Sequence, residues 1–312
     1  MIRERIAAFS AKRGRNVICY YSSWLQKPNR DDTGINDLDM NGFMNAVKDM
    51  DRSKGLDLVL HTPGGAVAAT ESVISYLHGC FGRDMVAFVP QLAMSGGTMM
   101  ACACREIYMG RQSSIGPTDP QFGGTPASGI VEEFQKAVES VRKDPGMAAL
   151  WGTIIGKYPP AYIGESEKAL RVSAEILSKS LKENMFAENP EKVDEVVSRL
   201  TSHADSGMHD RHFSIDTARS MGLIVKTLED DDVNLLKNHH SREWRDSNVS
   251  EGFIRAPKCF CPHFAHIFPC LSPPAPQHRA YGQHPSNRCR TDPRTRPTSS
   301  RHSCGPASSV RP

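Results

Sequence analysis

Three short apolar runs, at residues 56–60, 85–89 and 106–109, most constrain how this chain can fold. Runs of this length fit strands whose two faces are both covered by other parts of the protein. Between them, at residues 67–77 and 98–104, the apolar residues recur with helical spacing. An order of strand, helix, strand, helix and strand with short connections predicts a parallel α/β sheet with crossover helices.

Further elements are predicted on both sides of this pattern. Residues 16–24 are rich in aromatic and β-branched side chains and predict a strand. Asn36 or Asp37 is placed to cap a following helix. The apolar face of that helix comprises Phe43, Met44, Val47 and Met50. The later part of the chain predicts helices at 130–150, 165–187, 191–201 and 215–222, and a strand at 223–225.

The composition changes abruptly near residue 245. Residues 247–312 hold eleven of the 21 prolines and show no periodicity. Such a segment buries too little apolar surface to offset the entropy lost on ordering. We therefore expect an N-terminal segment at 1–14, one domain at 15–244, and a low-complexity, disordered tail at 245–312.

Charge and composition exclude several classes of protein. The net charge of +3 divides into −4 before residue 247 and +7 after it, so the domain has no charge that favours a nucleic-acid partner. No run of 18 apolar residues exists and the N-terminus lacks an apolar signal region, so we expect no membrane span and no secretory signal. The domain's four cysteines lie in apolar surroundings typical of buried thiols, which favours a cytoplasmic location.

Two glycine-bearing turns follow predicted strands. The run HTPGG places Gly64 and Gly65 after the strand at 56–60, and the run MSGGT places Ser95 before Gly96 and Gly97. In α/β sheets, sites form beyond the carboxyl ends of the strands, where both turns fall. A serine at a helix start opposite free backbone N–H groups is equipment for acyl transfer, as a nucleophile with an oxyanion hole.

Each turn also has a structural interpretation. Ser95 alone is more often a helix N-cap, with glycines that permit packing. The HTPGG run alone is more often a strand-to-helix turn. The functional interpretation depends on the two turns occurring together, in this order and on strand ends.

In combination these motifs resemble the serine dehydrogenase proteinase family, which is related to the Clp protease proteolytic subunit and to signal peptide peptidase A. That resemblance implies a Clp/crotonase-like fold of repeated β-β-α units with mostly parallel strands. It extends over roughly residues 15–240. The matching segments are 57–65, 89–98, 116–121 (the run GPTDPQ) and 218–225.

The resemblance implies peptide-bond hydrolysis. It makes Ser95 the nucleophile and assigns the oxyanion hole to Gly64, Gly65 and Gly96, with the N–H groups of Gly65 and Gly96 as donors. It implies a peptide or protein substrate and a homo-oligomer, and the proposed chemistry requires no metal or organic cofactor.

The general base is not given by the motifs. The Clp subunits supply a histidine in the loop after the serine helix, but residues 113–120 contain none, and Asp119 in that loop can serve to cap it. Signal peptide peptidase A types use a lysine, which favours Lys136, with Lys157 and Lys168 as alternatives. For each lysine alone, a solvated surface charge is the simpler interpretation. His61 is a further candidate, more often structural than catalytic.

Two other functions share this fold. A crotonase-type acyl-CoA enzyme uses a glycine-amide oxyanion hole without a serine, but needs a basic site for the adenosine phosphate, and the domain has no clear basic cluster. A non-catalytic member would bind peptides or partners, and is favoured if no lysine lies near Ser95. Fold similarity alone does not decide between these functions.

Overall fold

A computed structural model describes residues 2–22, 24–25, 33–201 and 208–228, together with a strand at Gly252–Arg255. All of these lie in one compact unit, Met1–Cys259. The strands are β1 (Asn16–Tyr21), β2 (Leu56–His61), β3 (Met85–Val89), β4 (Leu92–Ala93), β5 (Ile107–Met109), β6 (Ser114–Ile115), β7 (Gln121–Phe122), β8 (Thr125–Pro126), β9 (Val225–Thr227) and β10 (Gly252–Arg255). The α-helices are α1 (Ile2–Arg13), α2 (Asp39–Val47), α3 (Val67–Phe81), α4 (Gly96–Cys102), α5 (Ala127–Lys143), α6 (Ala148–Ile155), α7 (Tyr162–Glu183), α8 (Val193–Thr201) and α9 (Ile215–Ser220).

The central sheet has the order β10-β1-β2-β3-β5-β9. Every pair from β1 to β9 is parallel, and only β10 runs antiparallel, against β1. The helices α3 and α4 make the crossovers between β2, β3 and β5. The structure therefore confirms the predicted α/β architecture with mostly parallel strands.

Side chains cover both faces of this sheet, as the short apolar runs predict. On one face, Ile18, Leu58 and Ala87 belong to the large core that includes residues of α2, α3, α4 and α7. On the other face, Val17 and Phe88 pack with residues of α1. The alternation of Val17 and Ile18 between the two cores follows from the two-residue period of a strand.

The helix α1 occupies the segment at 1–14, where the sequence predicted no element. Its two anchors, Ile6 and Phe9, are buried, and the ring of Phe9 meets that of Phe88 edge-on at 5.1 Å between centroids. Two apolar residues three positions apart give little helical periodicity. The helix is fixed by the sheet face that it covers.

The predicted helix at 130–150 is two helices instead of one. The helix α5 ends at Lys143, and a 3-10 turn at Pro145–Met147 separates it from α6. Asp144 caps that turn by accepting a hydrogen bond from the N–H of Gly146 at 2.9 Å. Pro145 cannot donate the N–H that a continuous helix needs, so the break is a local effect of the sequence.

The helix predicted after Asn36 begins later and is shorter. The Oδ1 atom of Asn36 accepts the N–H of Leu38 at 2.9 Å in a turn, and α2 begins at Asp39. Phe43 and Val47 are buried as predicted, whereas Met44 is 50% exposed. The prediction of Met44 as a core residue was wrong because α2 ends after nine residues and buries a narrower face.

The predicted strand at 223–225 lies two residues later, at Val225–Thr227, because Gly222 turns the chain at a φ of 97° and Leu223 packs into the core. The strand β10 lies inside the segment from 245 onward that was predicted to have no structure. Its four residues pair with Ile18–Tyr21 of β1. The rest of that segment lies outside the described residues.

Three of the four cysteines in the described part, Cys19, Cys102 and Cys104, are buried, and Cys80 is half-buried. Burial raises the pKa of the Cys19 and Cys102 thiols to about 12. These thiols are therefore uncharged and unreactive at neutral pH. Within the ranges described above, no helix has the length and apolar character needed to cross a membrane.

Candidate active site

Ser95 occupies a strained turn between β4 and α4. Its φ of 49° and ψ of −115° are rare for a residue with a side chain. Such a conformation costs about 1–3 kcal/mol and persists only where surrounding structure enforces it. The Ser95 hydroxyl makes no capping hydrogen bond to α4. The interpretation of Ser95 as a simple N-cap is therefore wrong. The Ser95 side chain is half-buried, and its hydroxyl is not used to cap α4.

Gly64 packs directly against this turn. A Cβ on Gly64 would lie 2.7 Å from the Ser95 Cβ and 2.8 Å from the Met94 carbonyl oxygen. Its φ of 99° also lies in the region that disfavours side chains. The N–H of Gly64 donates to the Thr62 hydroxyl at 3.2 Å. Gly64 thus contributes conformation and close approach, and its N–H is already engaged.

The next peptide group presents its N–H to the serine turn. The Gly64 carbonyl accepts a hydrogen bond from the Ile35 N–H at 2.7 Å. Because C=O and N–H point in opposite directions across a trans peptide, the Gly65 N–H points away from Ile35. The Gly65 nitrogen lies 3.5 Å from the position that a Cβ on Gly96 would take. Gly65 and Gly96 are therefore close neighbours beside Ser95.

Neither of these two N–H groups has an acceptor among the residues that the structure describes. Gly96 is the first residue of α4, so its N–H has no partner within the helix. Two free amides that converge beside a hydroxyl suit an oxyanion. The geometry brings together the sequence-predicted Ser95, Gly64, Gly65 and Gly96.

A second, smaller set of short strand pairings aligns the segments of the site. The strands β4 and β6 are parallel, Thr62 bridges to Ala93, and Ile115 bridges to Phe213. Thr62 leads into the glycine loop and Ala93 into the serine turn. Ile115 leads into the loop that contains Asp119. The segment before Phe213 contains His209. Four segments distant in sequence therefore lie side by side above the carboxyl ends of the main strands.

The pairing brings an aspartate and a histidine into contact. The Nδ1 atom of His209 lies 2.8 Å from Oδ1 of Asp119. The Asp119 side chain is fully buried, whereas 22% of the His209 side chain is exposed. Within the described residues His209 is the partner of this buried carboxylate, whose Oδ2 has none. A buried charge needs such a partner, so the pair is held firmly.

This pair lies near the serine turn. A Cβ on Gly116, three residues before Asp119, would fall 2.4 Å from the Cε atom of Met94. The same position lies 3.4 Å from the carbonyl oxygen of Arg211, two residues after His209. Met94 directly precedes Ser95, so the aspartate loop and the segment after His209 both lie close to the serine turn.

The sequence did not single out His209. It lies 90 residues from Asp119 and in no recognisable motif, so only the fold reveals the contact. Asp119 was assigned a structural role because its loop contains no histidine. The sequence signal for this contact is Asp119 itself, because a carboxylate can accept a hydrogen bond from, and orient, a histidine that lies on a distant segment of the chain.

The structure does not join the three candidate lysines to Ser95. Lys136 on α5 and Lys157 after α6 are exposed, and Lys168 is exposed and pairs with Glu165 at 2.8 Å. No hydrogen bond between any of them and Ser95 occurs in the described part of the chain. All three side chains lie at the surface, as the interpretation of each lysine as a solvated charge predicts.

His61 is enclosed by aromatic rings. It is 3% exposed and lies between Tyr21 and Trp24, each with its ring centroid 4.6 Å away. This stacking fixes the end of β2, from which the glycine loop departs. The surroundings fit the structural role that the sequence favoured for His61.

Neither a metal centre nor a cation site is formed by the described residues, since none of their His, Cys, Asp and Glu side chains cluster in groups of three or more that could hold an ion.

Comparison with known proteins gives two similar archaeal sequences, both from Methanocaldococcus jannaschii. The chain is 29% identical to the uncharacterized protein MJ1495 over 189 residues, which cover 61% of this chain and 58% of that protein. It is 28% identical to the uncharacterized protein MJ0137 over 213 residues, or 68% of each. The chain thus spans less than two thirds of the length of MJ1495.

A family comparison is more informative. The sequence model for ClpP-like SDH-type serine proteinases matches residues 34–258, well over half of the chain. The match includes the glycine loop, the serine turn, Asp119 and His209, and it extends through β10. This chain belongs to the family of ClpP-like SDH-type serine proteinases.

Proposed function

We propose that this chain is a serine peptidase that cleaves peptide bonds through an acyl-enzyme on Ser95. One observation carries the proposal: Ser95 is held in a strained turn, with its hydroxyl unused as a cap, beside the free N–H groups of Gly65 and Gly96. A turn that served only to connect β4 and α4 would not need that strain. Family membership supports the same reaction class.

In the first step, Ser95 Oγ forms a bond to the substrate carbonyl carbon and gives up its proton to a base. The carbonyl oxygen becomes an oxyanion and accepts hydrogen bonds from the Gly65 and Gly96 amides. The C–N bond then breaks and the leaving amine takes a proton from the protonated base. Water then attacks the resulting ester carbon and transfers a proton to the base. The C–O bond to Ser95 breaks, Oγ takes that proton back from the base, and the acid is released.

For the base we propose His209, oriented by Asp119. The Asp119 carboxylate accepts the Nδ1–H of His209, which leaves Nε2 to accept the serine proton. The buried carboxylate also stabilises the imidazolium that forms when the proton is transferred. We propose that the hydrogen bond between Ser95 Oγ and His209 Nε2 forms when substrate binds, since catalytic hydrogen bonds in substrate-free enzymes are often long.

Lys136 remains the competing base, with Lys157 and Lys168 after it. Each would have to leave its exposed position to act. Under the proposed mechanism, all three lysines are surface charges.

The proposed substrate is a peptide or an unfolded protein segment, and the proposed assembly is a homo-oligomer in the cytoplasm. The family description supports a protein substrate and an assembly of subunits. The relatives named above are uncharacterized and add no substrate. The reaction as written needs no cofactor.

Hydrolysis of fluorescein-labelled casein tests the function. The full chain should release soluble fluorescence, and Ser95→Ala should abolish that release without changing the melting temperature by more than a few degrees. Ser72→Ala is the matched control, because Ser72 is an exposed serine on α3 whose hydroxyl bonds only to Ala68 of its own helix. Undiminished hydrolysis by Ser95→Ala would overturn the proposal.

A further inference from the structure

The hydroxyl of Thr98 makes two hydrogen bonds that join separate loops. It donates to the carbonyl oxygen of Ala93 at 2.8 Å and accepts the N–H of Gly116 at 2.9 Å. Thr98 is fully buried in the first turn of α4. A hydroxyl has one proton to donate, and that proton is committed to Ala93, so the direction of both bonds is fixed.

The two partners of Thr98 lie at the start of the two catalytic loops. Ala93 ends β4 and is two residues before Ser95. Gly116 follows β6 and is three residues before Asp119. The backbone of Ile115 is also paired to Phe213, with the Phe213 N–H donating to Ile115 at 2.8 Å. Because His209 is four residues before Phe213, that pairing fixes the His209 segment relative to β6.

The backbone pairing of β4 with β6 stops where the loops begin. Its register is Leu92 with Ser114 and Ala93 with Ile115. Beyond that point, one chain turns into Ser95 and the other continues to Asp119. The Thr98 hydroxyl provides the next link between the two chains. It bonds to Ala93, the last residue of β4, and to Gly116, the first residue after β6.

We propose that Thr98 is a positioning residue of the peptidase, whose buried hydroxyl holds the loop of Asp119, and through it His209, at a fixed distance from the Ser95 turn. This inference rests on the function proposed above. Thr98 touches neither substrate nor the reacting atoms, and it acts through the two loops.

Loss of the hydroxyl leaves two buried backbone groups without partners. In Thr98→Val, the shape is kept, but the Gly116 N–H and the Ala93 carbonyl lose their bonds, and the loops are free to separate. A misplacement of catalytic groups by about 1 Å can cost about 100-fold in rate. The binding of a reagent at the serine should change little, because the Gly65 and Gly96 amides do not depend on this bond.

The test is inactivation of the full-length chain by a fluorophosphonate. Its saturation kinetics give a rate constant for inactivation and a dissociation constant for the reagent. We expect Thr98→Val to lower the inactivation rate constant by about 100-fold with little change in the dissociation constant. Thr98→Ser, which restores the hydroxyl, should recover the rate to within a few-fold of the parent chain. A role in folding alone would not produce this split or this rescue.

Ser166→Ala is the matched control. Ser166 is fully buried like Thr98, but its hydroxyl bonds only to the Tyr162 carbonyl within α7. Its loss should leave both inactivation constants unchanged. Thr98→Cys, with a weak S–H donor, gives a second variant in case Thr98→Val does not fold, and its rate should fall well below that of Thr98→Ser.

The outcomes separate the two proposals. If the parent chain reacts and Thr98→Val or Thr98→Cys reacts as fast as Thr98→Ser, the positioning role is refuted and the peptidase proposal stands. If the parent chain does not react with the fluorophosphonate at all, the peptidase proposal fails, and the role of Thr98 fails with it. A slow Thr98→Val that Thr98→Ser rescues supports both.

Discussion

At the residue scale, the site depends on a close contact between Gly64 and Ser95 that leaves no room for a larger side chain at residue 64. Gly64 lies so close to Ser95 that a methyl group would overlap the turn. Ser95 itself holds a backbone conformation that a serine rarely adopts. Both features concern the same contact, so the serine turn and the glycine loop constrain each other's conformation.

Gly64→Ala tests this contact. The added Cβ would lie 2.7 Å from the Ser95 Cβ, and residue 64 would hold a φ that disfavours side chains, so the loop must shift. Displacing an oxyanion donor lowers turnover by about 100- to 1,000-fold, and the free energy of unfolding should fall by about 1–3 kcal/mol. Casein hydrolysis and chemical denaturation measure the two effects.

Gly79→Ala is the control for this substitution. Gly79 is exposed on α3, and a Cβ there would meet nothing within 4 Å. Stability should be unchanged or raised by up to about 1 kcal/mol. Equal activities of Gly64→Ala and Gly79→Ala would contradict the packing described at Ser95.

The base is tested by a pair of substitutions. His209→Gln removes the proton acceptor and should lower the rate of casein hydrolysis by about 100-fold or more, because general base catalysis contributes about 100- to 10,000-fold. Lys136→Met should leave that rate unchanged, since Lys136 is exposed on α5. The reverse result, with Lys136→Met inactive and His209→Gln active, would replace the histidine by the lysine mechanism.

Some contacts of the candidate site can be predicted from the sequence, whereas others are revealed only by the fold. The proximity of Ser95 to Gly65 and Gly96 could be predicted, because each residue lies in a short motif at the end of an apolar strand. The contact of His209 with Asp119 could not be predicted, because it depends on the pairing of Phe213 with Ile115. A short-range pattern carries no information on a partner 90 residues away.

At the element scale, the lengths of the apolar runs predicted the strands of the central sheet. Residues that interrupt regular structure explain some of the differences between the predicted and the observed elements. The strand β3 has the predicted bounds because all five of its residues are buried. The predicted helix at 130–150 failed at Pro145, where the chain lacks a donor. The helix α1 was missed because, among its described side chains at residues 4–13, Ile6 and Phe9 alone are buried, and its position depends on the sheet face beneath it.

The amino ends of the strands carry a buried ion network. Asp57 on β2 is fully buried and receives hydrogen bonds from Arg13 at 2.8 Å and from Arg15 at 2.6 Å. Burial opposes the charge on Arg15, but the hydrogen bond and charge of Asp57 outweigh it, and the pKa of Arg15 is raised. The network lies at the end of the sheet opposite the serine turn, because Ser95 follows the carboxyl ends of the strands.

Asp57→Asn should therefore destabilise the protein without affecting the site. Removal of one partner of a buried ion pair costs about 3–5 kcal/mol, and urea unfolding measures it. The inactivation rate of Ser95 by a fluorophosphonate should stay within twofold at 25 °C. Glu188→Gln is the control, because its pair with Arg83 is exposed and worth at most about 1 kcal/mol. Similar losses in the two variants would show that the Asp57 network adds no stability.

At the scale of the whole molecule, the family match and the central sheet both include residues beyond 245. The match extends to residue 258, and β10 at Gly252–Arg255 pairs with the edge of β1. The change in composition near residue 245 predicts an earlier boundary, and we propose that the domain extends through β10. A short edge strand amid proline-rich residues has no alternating pattern that a sequence alone would reveal.

Two truncations test this boundary. A chain that ends at Lys258 keeps β10 and should unfold at the same temperature as the full chain. A chain that ends at Trp244 loses the strand and leaves the backbone groups of β1 unpaired, so it should melt several degrees lower and aggregate more readily. Differential scanning calorimetry and light scattering give both readouts. Identical melting of the two truncations would remove β10 from the stable domain.

The most direct test of the central claim, that Ser95 is the nucleophile, is to map the covalent adduct of a fluorophosphonate on the full chain. Trypsin releases Ser95 in the peptide 84–105, in which it is the sole serine. The account predicts one adduct per chain, in that peptide and at Ser95, and no adduct in Ser95→Ala. Absence of an adduct on the folded parent chain, or an adduct at another serine that persists in Ser95→Ala, would contradict it.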